Sequence, residues 1–207
     1  MCWSKEVSLG TYSIGMFGSG LLYNKGYPIE AIFYGWVIQM QLIEYFLWSY
    51  QPCIDPHKNK NEKVTIIGTL VNHLEPIILW LAILKYGKDL PEFMKYYMII
   101  FTIITIIYTK KAVEHTKCTT VTEESSPHLY WKWNHEIYNR IYYSIFLATL
   151  VLLSFHGIKG QNGSLNSMIA IVTYGISYSI YGDKKVVGAM WCWFAALVPY
   201  LLLAIYD

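Results

Sequence analysis

The sequence predicts an all-α integral membrane protein: a polytopic seven-helix bundle, with six helices as the fallback. Three observations predict it. Charged residues make up only 14% of the 207 residues and hydrophobic ones 55%, whereas soluble domains carry roughly 25% charged residues. The mean hydropathy is +0.31, concentrated in long apolar runs rather than spread evenly. Those runs approach the ~20 residues of a spanning helix and far exceed the ~10 of a membrane-barrel strand. The whole chain, 1–207, reads as one transmembrane domain.

The first run, 8–24, is the weakest. Gly10, Gly15, Gly18 and Gly20 interrupt it. Small residues let membrane helices approach closely, so it reads as a tightly packed span, or as a re-entrant or interfacial segment in the six-helix fallback. The residues before it include Lys5 and Glu6, and with a glycine-rich run behind them they do not resemble a cleavable signal. Pro28 suits a helix start and opens the second run, 29–50. A polar loop with Pro52 and Pro56 leads to the third, 64–84. The fourth, 92–109, is rich in Ile, and Lys95 can snorkel from its end. A long polar segment follows, in which Tyr130, Trp131 and Trp133 around Lys132 read as interfacial aromatics. The last three runs are 140–156, 165–181 and 186–206.

Polar residues inside these runs mark the place to look for a site. Gln39, Gln41 and Glu44 interrupt the second run, and Asn72, His73 and Glu75, followed by Pro76, interrupt the third. Ionisable residues are costly in lipid and normally face a bundle interior. A rise of ~1.5 Å per residue puts His73 roughly 15 Å in from Lys63, and Gln41 roughly 14 Å in from Tyr50. A short loop makes the two helices antiparallel neighbours. Gln41, Glu44 and Trp48 share one helical face, as do Asn72, Glu75 and Leu79. The expected binding cluster is therefore Gln41, Glu44, Asn72, His73 and Glu75, with Cys192 at a comparable depth on the last run. A buried Glu–His pair can exchange a proton near neutral pH. Pro76 removes a backbone donor and kinks its helix, and kinks often line cavities. The competing reading is structural, with the same groups bonding neighbouring helices together. No catalytic set, metal-ligand set or cofactor is assigned.

Orientation follows from Lys and Arg near the span ends. Eleven of the 16 basic residues fall on the side of the N-terminus, including Lys58, Lys60, Lys63, Lys110, Lys111 and Lys117. The expected arrangement is N-terminus cytoplasmic and C-terminus outside. The sequon Asn162-Gly163-Ser164 falls on the outer side. Cys2, Cys53 and Cys118, with His57, His115, His128 and His135, all collect on the inner side. Three readings compete for them: a zinc site, a disulfide, or free thiols beside ordinary histidines. Zinc is the weaker because no pair has close C-x-x-C spacing. A disulfide would need an oxidising compartment, against the expected orientation.

Several classes are disfavoured. The last run lacks the lysine that retinal chemistry needs, and neither a G-x-S-x-G elbow nor an H-E-x-x-H helix occurs. The net charge of +2 gives no reason to expect a nucleic-acid partner. The start Met1-Cys2-Trp3-Ser4, Glu44, the segment Asn72-His73-Leu74-Glu75-Pro76, and Met190-Trp191-Cys192-Trp193 together resemble an uncharacterised family of small multi-helix membrane proteins with bacterial, algal and large-DNA-virus members. That resemblance implies the architecture and no activity. It departs where Tyr45-Phe46-Leu47-Trp48 stands in place of an expected Gln. The first functional expectation is a transporter or channel for a small solute, an ion or a proton, set in the lipid bilayer. A receptor-like or structural membrane protein and an intramembrane metal-dependent enzyme are the alternatives.

Overall fold

The computed structural model describes residues 4–122, 127–132, 136–182 and 186–206. The fold is all-α. Ser4 starts α1 (Lys5–Asn24) by accepting a hydrogen bond on its side chain from the Val7 amide, 3.3 Å, which occupies a donor left free in the first helical turn. The glycine-interrupted first run is thus one continuous helix, and its close approaches are specific. A Cβ at Gly15 would lie 2.8 Å from the Ile38 side chain and 3.2 Å from the Ala196 carbonyl oxygen, and one at Gly18 would lie 2.8 Å from Tyr200. Gly10 and Gly20 face open space, so only two of the four glycines serve packing.

Gly26, at φ +88, turns the chain into α2 (Pro28–Val37). The second run is not one helix. It breaks at Ile38 and resumes as α3 (Gln39–Ser49). The third run breaks likewise into α4 (Lys58–His73) and α5 (Glu75–Tyr86), bent by 43°. This is the kink expected from Pro76. The last run breaks into α9 (Val187–Ala195) and α10 (Val198–Tyr206). Between them lie α6 (Glu92–His115), α7 (Glu136–Gly157) and α8 (Asn162–Tyr181). A short hairpin, β1 (Thr120–Val121) with β2 (Leu129–Tyr130), precedes α7.

Broken helices leave carbonyls without partners, and side chains take two of them here. Gln39 Nε2 donates to the Gly35 carbonyl at 2.8 Å, and Trp36 Nε1 donates to the Val71 carbonyl at 2.9 Å. Gln39 is therefore committed to its own helix break. Two helices also outrun their apolar stretches. α4 begins at Lys58 rather than at residue 64, and α6 continues to His115, because Lys, Glu and Ala sustain a helix as well as Ile or Leu.

α1 packs on α2, α3 and α10; α2 packs on α5; α3 packs on α4; and α7 packs on α5 and α8. One core gathers Leu22, Ile38, Met40, Leu47 and Ala196, and another gathers Leu79, Ile83, Met98, Phe101 and Phe146. Trp131 is buried in the first core with its ring against Gly188, so it packs inside rather than belonging to an interfacial belt. Trp133 lies outside the described residues. α6 turns Ile99, Ile100, Ile103, Ile106 and Ile107 outward, each more than half exposed. Such an apolar surface belongs against lipid or a partner. Among the described residues three segments are long and apolar enough to cross a membrane: Glu92–His115, Asn139–Gly157 and Val187–Tyr206. The bent pair α4–α5 makes a fourth.

Candidate functional site

Of the polar residues that interrupt the second and third runs, all but half-buried Gln39 are buried. Gln41, Glu44, His73 and Glu75 have no exposed surface and Asn72 has almost none. They form two copies of one arrangement, an amide three residues before an acid. Gln41 Nε2 donates to Glu44 Oε2 at 3.1 Å, and Asn72 Nδ2 donates to Glu75 Oε1 at 3.0 Å. The i, i+3 spacing brings the two side chains over one another on a helix. The first pair begins one turn beyond the Ile38 break, and the second straddles the Leu74 break. Their helices α3 and α4 pack together.

The second pair is anchored from α7. Tyr143 donates its hydroxyl to Asn72 Oδ1 at 2.7 Å. The donors thus run in one direction, from Tyr143 to Asn72 to Glu75. Glu75 Oε2 is buried and has no hydrogen-bond partner.

His73 does not bond Glu75 as a direct pair. Its Nδ1 lies 2.8 Å from Thr109 Oγ1 on α6. Its ring sits among Tyr108, Tyr142 and Tyr143, with centroids 5.2, 5.1 and 6.1 Å away, while Nε2 is buried without a partner. The reason is helical geometry: residues two apart point to different sides of a helix, and the break at Leu74 does not bring them together. Thr109 directly precedes Lys110 and Lys111, so His73 stands beside the basic end of α6. Cys192 is fully buried on α9, which packs on α3, the helix of Gln41 and Glu44.

A second polar network escaped the sequence reading. Tyr34 donates to Asn166 Oδ1 at 3.1 Å, Asn166 donates to the Tyr206 hydroxyl at 2.8 Å, and Tyr206 donates to Glu30 Oε1 at 3.2 Å. It ties α2, α8 and α10 at the end of α2 remote from Ile38. Glu30 inside the second run was its legible signal, since an acid in an apolar span is a site candidate on its own.

On the hairpin side, Cys53 and Cys118 form a disulfide with Cα atoms 6.2 Å apart. Beside it, Asn61 Nδ2 donates to the Thr119 carbonyl at 3.1 Å and the Thr119 amide donates back to Asn61 Oδ1 at 2.8 Å. Gln51 Nε2 also donates to the Thr119 carbonyl, 2.8 Å. The histidines are dispersed. His57 stacks on Tyr50, His115 contacts the Lys111 carbonyl, and His128 packs edge-on against Tyr181. Among the described residues no three Cys, His, Asp or Glu side chains are grouped to hold a metal. Cys2 and His135 lie outside the described residues. The sequon occupies the first turn of α8, where Gly163 is buried and a Cβ on it would lie 2.5 Å from the Ser154 carbonyl oxygen.

No protein-family model matches the chain, and no curated protein or solved structure is similar to it.

Proposed function

We propose that the chain is a seven-span membrane protein, with α2–α3, α4–α5 and α9–α10 each serving as one broken span, and that it transports or conducts a proton or a small cation through Glu44 and Glu75. The observation that carries this reading is the placing of two buried amide–acid pairs at two helix breaks, one of them with an open carboxyl oxygen. Membrane transporters commonly build their ion sites at discontinuous helices, where unwound backbone and buried side chains meet. A buried carboxyl is stable only with a proton, a cation or a full set of donors, and Glu75 has one donor from Asn72. The structural reading has one observation in its favour, the Tyr143–Asn72 bond, which ties α7 to α4. The test is flux. Purified protein in sealed vesicles carries an internal pH dye, and proton and alkali-cation gradients are imposed in turn. Glu75→Gln and Glu44→Gln should each abolish the flux while folded yield is kept. Unaltered flux in both variants contradicts the proposal.

The Cys53–Cys118 disulfide supports an oxidising compartment on the face that bears it, since disulfides persist there. This reverses the orientation expected from the Lys and Arg count. The resemblance to the uncharacterised membrane family stands beside this as a proposal carried by its short motifs. Thiol-specific mass tagging of intact cells, with and without a membrane-impermeant reductant, tests the orientation. Cys53 and Cys118 should be tagged only after reduction from outside. Tagging without reductant contradicts it.

A further inference from the structure

A groove of about 520 Å³ runs between the α4–α5 bend and the C-terminal half of α6, within the ~300–1,000 Å³ typical of small-molecule sites. Its walls are almost wholly apolar, with Leu70, Ile77, Ile106 and Val113 among them, and buried His73 forms part of its inner wall. Leu70 and Ile106 are also exposed outward, so the groove opens sideways onto the apolar surface of α6 rather than toward the bundle axis. Lys110 and Glu114 line its other end and are exposed.

We propose that this groove holds an acyl chain of a zwitterionic phospholipid, with the phosphate on Lys110 and the ammonium group on Glu114. Two features argue for this occupant. The opening lies on the outward-facing isoleucine surface, where the surrounding solvent of a membrane protein is lipid. The charge pattern at the mouth is one cation and one anion, one helical turn apart on α6. Lysine binds phosphate as a point charge, and a carboxylate complements an ammonium. A purely anionic head group would satisfy Lys110 and be repelled by Glu114. The two side chains do not form an ion pair with each other, and a Lys placed N-terminal to its Glu is the weaker order for such a helical pair. Both are thus available to a ligand. The inference rests on the membrane reading proposed above, on the groove and on its mouth; it does not depend on whether Glu44 and Glu75 carry ions.

The test is photolabelling of the full chain in vesicles of equal parts phosphatidylethanolamine and phosphatidylglycerol. One set carries a trace of acyl-diazirine phosphatidylethanolamine and the other the same trace of acyl-diazirine phosphatidylglycerol. Adducts are mapped by mass spectrometry. The ethanolamine probe should label residues 70–77 and 105–113 about two- to fivefold more than the glycerol probe, the selectivity that one exposed ion pair confers. Val113→Trp should lower that labelling to the level found at Ile99, Ile100 and Ile103. Glu114→Lys, a surface change that leaves the core untouched, should reverse the preference toward phosphatidylglycerol. Labelling spread evenly over the outer face of α6, equal labelling by the two probes, or an unchanged preference in Glu114→Lys would each overturn the proposal.

Discussion

Tyr143→Phe isolates the bond that holds the second amide–acid pair. It removes one hydroxyl and leaves the ring among His73, Tyr142 and Phe146. The lost bond is short, 2.7 Å, and its acceptor, Asn72 Oδ1, belongs to a residue that is 3% exposed. Removing one partner of a buried hydrogen bond costs about 1–3 kcal/mol. Interhelical bonds in membrane proteins average about 0.6 kcal/mol and reach about 1.7. The short distance and the burial of its acceptor put this one at the upper end, about 1–1.5 kcal/mol. Tyr142→Phe is the internal comparison, because its hydroxyl donates to Thr105 across a longer 3.3 Å, and its cost should be smaller. The assay is equilibrium unfolding of the purified protein in mixed micelles, followed by helical circular dichroism. A cycle with Asn72→Leu separates the bond from general packing, since residues in one hydrogen-bonded network couple by about 0.5 kcal/mol or more. Additive effects of Tyr143→Phe and Asn72→Leu would refute the link from α7 to Glu75.

Other expectations follow from the packing and the hairpin-side clasp. Gly163→Ala should destabilise by about 1–3 kcal/mol, the usual cost of overpacking, because the nearest neighbours of its Cβ are the backbone oxygens of Ser154 and Ile158; Gly20→Ala, in open space, should be near neutral in the same unfolding assay. Cys53→Ser with Cys118→Ser opens a loop of sequence separation 65 and should cost about 2–4 kcal/mol, read as a fall in the unfolding midpoint. Asn61→Ala should cost about 1–3 kcal/mol more in that background, since the Asn61–Thr119 pairing then holds the segment alone; no added loss would show that the clasp contributes nothing.

The sequence made the outline of this fold legible because outward-facing and core-facing surfaces are both apolar, so long runs stand out against polar loops. The same uniformity hid the breaks. Pro76 announced the bend at Leu74, since proline lacks the backbone donor. Pro199, the second residue of α10, marks the break at Ala196 in the same way; nothing comparable marks Ile38, where Gly15 of α1 lets the chain pass between the two interrupted helices. The amide–acid pairs were legible because i, i+3 spacing along one helix is a local property. Their partners were not, because Tyr143 and Thr109 come from helices whose rotation only tertiary packing decides. His73 illustrates this. Its closeness to Glu75 in sequence pointed to a pair, and the fold turns it toward Thr109 instead. Glu30 was visible as an acid in an apolar run, but its partners Tyr206 and Asn166 lie on distant helices. The disulfide was one of three open readings because cysteine spacing alone does not fix pairing. Approach of the α3–α4 loop to the segment after α6 decides it.

Proton and cation flux through reconstituted protein tests the central claim most directly. Wild-type vesicles should dissipate an imposed proton or alkali-cation gradient, and Glu75→Gln should stop this while keeping the helical signal and the elution volume of the parent. Equal dissipation by wild type and Glu75→Gln, or none by folded wild type above empty vesicles, would contradict it and leave the buried acids as ties between helices.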